Sequence, residues 1–177
     1  DVNLCLSIDE SGSICDTWED PRTCSGDTNT TCCAKFENEI EFSENLIVNL
    51  GEQFARNKLS LGISIVTFSH EATIDLNMTT DYNAVINPLR QIYYSAGGTN
   101  HRDAIAFCQN TFPEPEAGDE SPPKNVILLL TDGTPSIGKA GTDAATAAKI
   151  AGSIIIPVFI SPTSNSETLD YMRGLSN

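Results

Sequence analysis

The chain has 177 residues, a length typical of one soluble domain. Hydrophobic residues make up 40% of it and charged residues 19%, which excludes a disordered or collagen-like chain. Its 10 lysine and arginine residues stand against 24 aspartate and glutamate residues, and the formal charge of −14 makes nucleic acid and anionic membrane surfaces poor partners. No apolar run approaches the roughly 20 residues of a membrane-spanning helix, so we expect no direct membrane insertion.

Strand patterns and helix patterns alternate along the chain. In chain order they predict a strand at 2–8, a helix at 35–56, strands at 60–69 and 72–76, a helix capped by Asp81, a helix after Gly97-Gly98-Thr99-Asn100, a strand at 126–131, a helix at 142–151, a strand at 153–160 and a helix at 166–175. This alternation predicts a single α/β domain over 1–177, with a doubly wound, mainly parallel central sheet flanked by helices. The acidic loop 111–124 is expected at the amino-terminal end of that sheet.

Four of the six cysteines lie close together after the first strand, namely Cys15, Cys24, Cys32 and Cys33. A polar cysteine-rich insertion, residues 15–33, indicates disulfides formed in an oxidising compartment, so we expect a secreted protein or the extracellular part of a cell-surface protein. A zinc site is the weaker interpretation, because the spacings match no common zinc pattern. Adjacent cysteines are poorly placed to pair, which leaves two pairings open: 15–32 with 24–33, or 15–33 with 24–32.

The other two cysteines stand apart, Cys5 in the first strand and Cys108 on the apolar face of a helix. A third disulfide between them is favoured over two buried thiols, because the other four already form an even set. Two Asn-X-Ser/Thr sequons, at Asn29 and Asn77, are candidate glycosylation sites.

Polar segments gather where ligands bind in such a sheet, beyond the carboxyl ends of the strands at the switch point. They are residues 9–13, 97–100 and 131–133. Together they offer two carboxylates and three hydroxyls. This all-oxygen set suits Mg²⁺ or Mn²⁺ with one coordination position left open.

The three segments resemble the metal-ion-dependent adhesion site (MIDAS) of von Willebrand factor A domains and integrin inserted domains. The family pattern is Asp-X-Ser-X-Ser, a loop threonine and a loop aspartate, matched here by Asp9, Ser11, Ser13, Thr99 and Asp132. The resemblance covers residues 1 to about 175 and implies the Rossmann-like fold of that family.

The resemblance also implies a role for each residue. Ser11 and Ser13 would bind the metal directly, Thr99 would do so in a high-affinity state, and Asp9 and Asp132 would act mostly through water. The open position would take a carboxylate from a partner protein. The implied function is an extracellular adhesion module that captures an acidic residue of a matrix or cell-surface protein through Mg²⁺ or Mn²⁺.

The insertion 15–33 departs from most members of the family and must lie beside the metal face. A loop held by disulfides there favours a role in specificity, with Trp18 either an interface anchor or part of a small core of the loop itself. Other candidates for partner contact are Glu10, Asn100, His101 and Thr134. We expect His101 at the rim of the site.

Two other functions compete with adhesion. One is a structural matrix domain that associates with itself, for example by offering a carboxylate of the acidic loop to a neighbour's metal. The other is a metal-dependent hydrolase. It is disfavoured because the sequence has no nucleophile elbow, no partner motif for His70 or His101, and no glycine-rich phosphate loop with lysine. We therefore do not expect an enzyme.

Overall fold

The computed structural model describes residues 1–14, 34–115, 117–136, 138–160 and 166–177. Strands and helices alternate through these ranges, as the sequence predicts. The predictions for the insertion fall outside the described residues and stay predictions: the pairing of Cys15, Cys24, Cys32 and Cys33, the role of Trp18 and glycosylation at Asn29.

The elements of the described residues are β1 (Val2–Asp9), α1 (Ala34–Arg56), β2 (Leu61–Phe68), β3 (Ala72–Thr79), α2 (Tyr82–Arg90), α3 (His101–Thr111), β4 (Lys124–Thr131), α4 (Thr142–Ile150), β5 (Ile154–Phe159) and α5 (Ser166–Leu175). The predicted third strand was too short. It continues to Thr79, which pairs with Ile63 beyond a shift in register against β2. Asn77 is exposed on this strand, and its glycosylation remains a prediction.

The strands form one sheet in the order β3-β2-β1-β4-β5. β1 pairs in parallel with β2 and β4, β4 pairs in parallel with β5, and β3 alone is antiparallel. The mainly parallel, doubly wound sheet is therefore confirmed. β1 leads to β2 on one side while β4 lies on the other, so the switch point falls between the carboxyl ends of β1 and β4, at Asp9 and Thr131. The acidic loop before β4 enters from the opposite end, as expected.

Each face of the sheet has its own apolar core. One face packs Leu4, Leu6 and Ile8 of β1 against α1 and α2. The opposite face packs Cys5 of β1 against α3, α4 and α5. Because side chains alternate along a strand, Asp9 points to the same face as Cys5.

A disulfide joins Cys5 of β1 to Cys108 of α3 and confirms the predicted third bridge. It ties the central strand to a helix whose first residue is His101, directly after the loop that carries Thr99. The disulfide therefore links covalently the two elements that carry the polar segments 9–13 and 97–100.

Candidate metal centre

Asp9 ends β1 as a fully buried carboxylate. Its Oδ1 accepts the backbone N–H of Ser11 at 2.8 Å, and its Oδ2 accepts the hydroxyl of Thr131 at 2.6 Å. Burial raises the pKa of Asp9 to about 7, although hydrogen bonds from Ser11 and Thr131 act in the opposite direction. The side chain is thus fixed in place with both oxygens oriented.

A chain of side-chain contacts leads from this turn to the loop after β4. The hydroxyls of Ser11 and Ser13 lie 3.1 Å apart, and the Ser13 hydroxyl donates to Oδ1 of Asp132 at 2.9 Å. Ser11 is buried, Asp132 is half-buried and Ser13 is exposed. The cluster therefore opens to solvent at Ser13 and Asp132, where a cation and an external ligand have access.

The loop that carries Thr99 is bound to both of these segments. The N–H of Gly12 donates to the carbonyl of Gly97 at 2.9 Å. Thr99 donates its N–H to the Ser136 hydroxyl at 3.0 Å and accepts the Ser136 N–H at 2.9 Å. Gly97 has a φ of +108°, a left-handed conformation that a side chain would strain. Ser136 carries no motif signal, so the sequence could not identify it as a positioning residue.

The five residues matched to the family pattern thus lie in three loops that contact one another at one end of the sheet. Their available donors are carboxylate and hydroxyl oxygens, which fit a hard divalent cation. Within the described ranges, no three His, Cys, Asp or Glu side chains come together as a metal-holding group.

Two of the residues predicted to contact a partner are buried instead. Asn100 is fully buried and caps α3, where its Oδ1 accepts the N–H of Asp103 at 3.1 Å. Its amide also donates to the carbonyl of His70 at 3.0 Å. His101 is likewise fully buried, so its expected position at the rim is wrong. The start of α3 turns both side chains inward, and neither offers an atom to a partner in this structure.

His101 connects the site to the last helix. Its Nε2 lies 3.1 Å from the Thr131 hydroxyl and its Nδ1 lies 3.0 Å from the Tyr171 hydroxyl. Because Thr131 donates to Asp9, its oxygen accepts from Nε2–H, and Nδ1 then accepts from Tyr171. The Tyr171 oxygen accepts the N–H of Gly141 at 3.1 Å. Burial lowers the pKa of His101 to about 4, which keeps the ring neutral.

The other candidate contacts lie nearer the solvent. Glu10 is half-buried after Asp9, and Thr134 is exposed after Asp132. Burial raises the pKa of Glu10, opposed by a hydrogen bond from Ser95. Both stay candidates for partner contact. As for membranes, none of the described helices is long and apolar enough to cross one.

The sequence is similar to a known domain family and to cochlin. The family model described as von Willebrand factor type A domain matches residues 3–176. Cochlin of Mus musculus and of Homo sapiens are each 30% identical to this chain over 135 residues, which are 75% of this chain and 20% of cochlin. The chain therefore spans about a fifth of the length of these relatives.

Solved structures share the fold at low identity. Proximal thread matrix protein 1 (PTMP1) from the mussel byssus, in a structure with a zinc-occupied MIDAS motif, matches with a TM-score of 0.69 at 14% identity over 99% of this chain and 39% of that chain. The protein BatB from Bacteroides thetaiotaomicron matches with a TM-score of 0.68 at 18% identity over 99% of this chain and 85% of that chain. Identities this low show the fold alone.

Proposed function

The chain belongs to the von Willebrand factor type A domain family, and from that premise we propose that it is an extracellular adhesion module. It holds Mg²⁺ or Mn²⁺ at the three polar loops and captures a carboxylate of a matrix or cell-surface protein. The observation that carries this proposal is the hydrogen-bonded series Asp9, Ser11, Ser13 and Asp132, which opens to solvent at the switch point. The name of PTMP1, a matrix protein whose MIDAS motif holds zinc, gives support from a protein of the same fold.

The residues of the site would contribute two kinds of oxygen ligand to a bound cation. The hydroxyls of Ser11, Ser13 and Thr99 would offer neutral oxygens, while Asp9 and Asp132 supply negative charge. A bound cation would supply a Lewis acid to which an oxygen of an external carboxylate could coordinate. Since the described site contains few charged ligands, much of the ion's positive charge is left for that external group. It also gives a chain of formal charge −14 a local positive centre for an acidic partner.

We propose binding rather than catalysis. His101 uses both ring nitrogens in internal hydrogen bonds and is fully buried, so it is not placed to act as a general base on a substrate. Among the described residues, no histidine is hydrogen-bonded to the hydroxyl of Ser11 or Ser13. The Thr131 hydroxyl, which His101 contacts, is buried and donates to Asp9.

Titration calorimetry tests the metal site. We expect EDTA-stripped wild-type protein to bind one Mg²⁺ or Mn²⁺, with acetate supplied as a surrogate carboxylate in a parallel titration. Asp132→Ala should abolish this binding and leave the urea unfolding midpoint of the metal-free protein near that of wild type. Glu52→Ala, an equal charge change at an exposed position near the end of α1 away from the metal centre, is the matched control. Equal binding by wild type and Asp132→Ala would contradict the proposal.

Self-association is the second candidate. It is favoured by the exposed carboxylates of the acidic loop, including Glu114, Asp119 and Glu120, which lie at the opposite end of the sheet from the metal centre. One copy could present such a carboxylate to the metal centre of the next in a head-to-tail contact. Sedimentation velocity over a concentration series, with Mg²⁺ or with EDTA, distinguishes the candidates. Assembly that requires both Mg²⁺ and Asp119 or its neighbours would favour this second function.

A further inference from the structure

Glu39 is a buried acidic residue in the second turn of α1. Its exposed fraction is 1%, close to that of an apolar core residue. Removing an ionised carboxylate from water costs several kcal/mol unless it gains a counter-charge or hydrogen bonds. A residue of this type therefore needs a compensating group.

Neither carboxylate oxygen of Glu39 makes a hydrogen bond of normal distance and angle to a described residue, and the backbone of Asp9 comes only close enough to lower the pKa of Glu39. Roughly 90% or more of buried polar groups in proteins have a hydrogen-bond partner, so the missing partner requires an explanation. The only other described residue with such an atom is Ser7, whose hydroxyl is neutral and less costly to bury. The neighbouring Ser43 uses its own hydroxyl on the backbone carbonyl of Glu39, at 2.7 Å, and offers nothing to the carboxylate.

The position of Glu39 points to the metal centre. Burial raises its pKa well above the ordinary value, and the negative charges of Asp9 and Asp132 raise it further, although the backbone of Asp9 acts in the opposite direction. Phe36, one turn earlier, packs against Tyr94, whose pKa is raised by burial and by the same two aspartates. The first turns of α1 thus lie within electrostatic reach of both carboxylates of the site.

Building on the proposed function, we propose that Glu39 is a third carboxylate of the cation site and acts on the bound cation through bridging water. Direct ligation is not the arrangement we propose, because the three acidic side chains do not close into a compact group. An outer carboxylate of this kind orients bound water and adds negative charge. It raises affinity for the cation and leaves the inner positions to hydroxyls and to the partner.

This role predicts opposite effects of one substitution on two properties. Glu39→Gln keeps the size of the side chain and removes its charge. The metal-free protein should become more stable to urea, because the unfolded chain keeps this carboxyl in water while the folded chain buries it without a partner. Cation affinity should fall about 10- to 100-fold, the range typical of outer ligands.

The experiment is calorimetric titration of Mg²⁺ and of Mn²⁺ into EDTA-stripped wild type, Glu39→Gln and Glu41→Gln. Glu41 is exposed on the same helix, so its variant makes the same charge change away from the site and should bind like wild type. Urea unfolding in EDTA and in Mg²⁺ gives an independent readout. Added Mg²⁺ should raise the unfolding midpoint of wild type more than that of Glu39→Gln. Glu39→Met, an apolar replacement, provides a second variant with the same expected loss.

The outcomes separate the two proposals. If wild type binds, Asp132→Ala does not, and Glu39→Gln binds as tightly as wild type, the role of Glu39 is overturned and the metal site stands. Equal losses in Glu39→Gln and Glu41→Gln would also overturn it, because they would reflect net charge alone. If wild type binds neither cation, with or without acetate, the proposed function itself fails.

Discussion

Each face of the sheet has a buried carboxylate, and the two differ in the hydrogen bonds that they receive. Asp9 points to the face covered by α3 and receives hydrogen bonds from the backbone of Ser11 and the hydroxyl of Thr131. Glu39 belongs to α1 on the other face, and its oxygens make no hydrogen bond of normal distance and angle to a described residue. The carboxylate of Asp9 is thus stabilised by hydrogen bonds within the protein. For the carboxylate of Glu39 we propose stabilisation by a bound cation.

The two faces of the sheet also differ in the interactions that hold their helices in place. The α3 face contains further internal ties, including the Cys5–Cys108 disulfide and a 2.7 Å hydrogen bond between the hydroxyls of Ser64 and Thr111. The α1 face is packed mainly with large aliphatic side chains. Changes to the α3 face should therefore reduce stability without metal, whereas Glu39→Gln should raise stability without metal and reduce the stability gained when metal is added.

Removing the disulfide should have the largest effect. Cys5 and Cys108 are 103 positions apart, and in the chain-entropy model a loop of that size contributes about 4 to 5 kcal/mol. We expect Cys5→Ala/Cys108→Ala to lose this much in urea unfolding. The single variant Cys108→Ala breaks the same bond and should lose nearly as much. A midpoint equal to that of wild type in either variant would show that the α3 face does not depend on its bridge.

Tyr171→Phe should have an intermediate effect. It removes the hydroxyl that serves His101 and the N–H of Gly141, and leaves two buried polar groups without a partner. Such a loss typically costs about 1 to 3 kcal/mol of unfolding free energy. Tyr93→Phe is the control: Tyr93 is 69% exposed, and its variant should stay within about 0.5 kcal/mol of wild type. Similar midpoints for both variants would contradict the chain of contacts from α5 to Asp9.

The smallest expected effect is the change in cation affinity for each unit of pH. Burial raises the pKa of Asp9 to about 7, so below that pH a cation must displace its proton. Affinity should therefore fall as the pH drops below about 7, by about tenfold per unit for the proton of Asp9 and further for the proton of Glu39, whose pKa is also raised. Calorimetry in buffers of different ionisation enthalpy counts the protons released. Constant affinity between about pH 5.5 and 8 would contradict an Asp9 that binds only as the anion.

The sequence predicted the order of elements because helix and strand periodicity is a local property. The end of β3 was missed because residues 77–79 are held by pairing with β2, a contact that local pattern does not report. His101 was misplaced for a similar reason. Its proximity to Thr99 in the sequence indicated the rim, whereas its direction depends on Thr131 and Tyr171, which are distant in sequence.

The position of Glu39 could have been recognised from the sequence, but a charged residue is not normally assigned to the buried face of a helix. Glu39 stands three residues after Phe36 and four before Ser43, both buried, and so lies within the inward stripe of α1. A charged residue in that stripe is the kind of inconsistency that accompanies a functional site. Ser136 left no comparable signal, because a serine after a turn is ordinary and its bond to Thr99 is visible only in three dimensions.

The disulfide also decides how the domain would respond to mechanical tension. A chain pulled at both ends lengthens by about 3.3 to 3.6 Å for each residue that unravels. The residues between Cys5 and Cys108 contribute none of this length while the bridge holds, since the covalent link transmits the force past them. Asp9, Ser11, Ser13 and Thr99 all lie inside this shielded loop, and Asp132 lies outside it. Stretching would therefore withdraw Asp132 first and separate the metal centre into two parts before most of its residues felt any load.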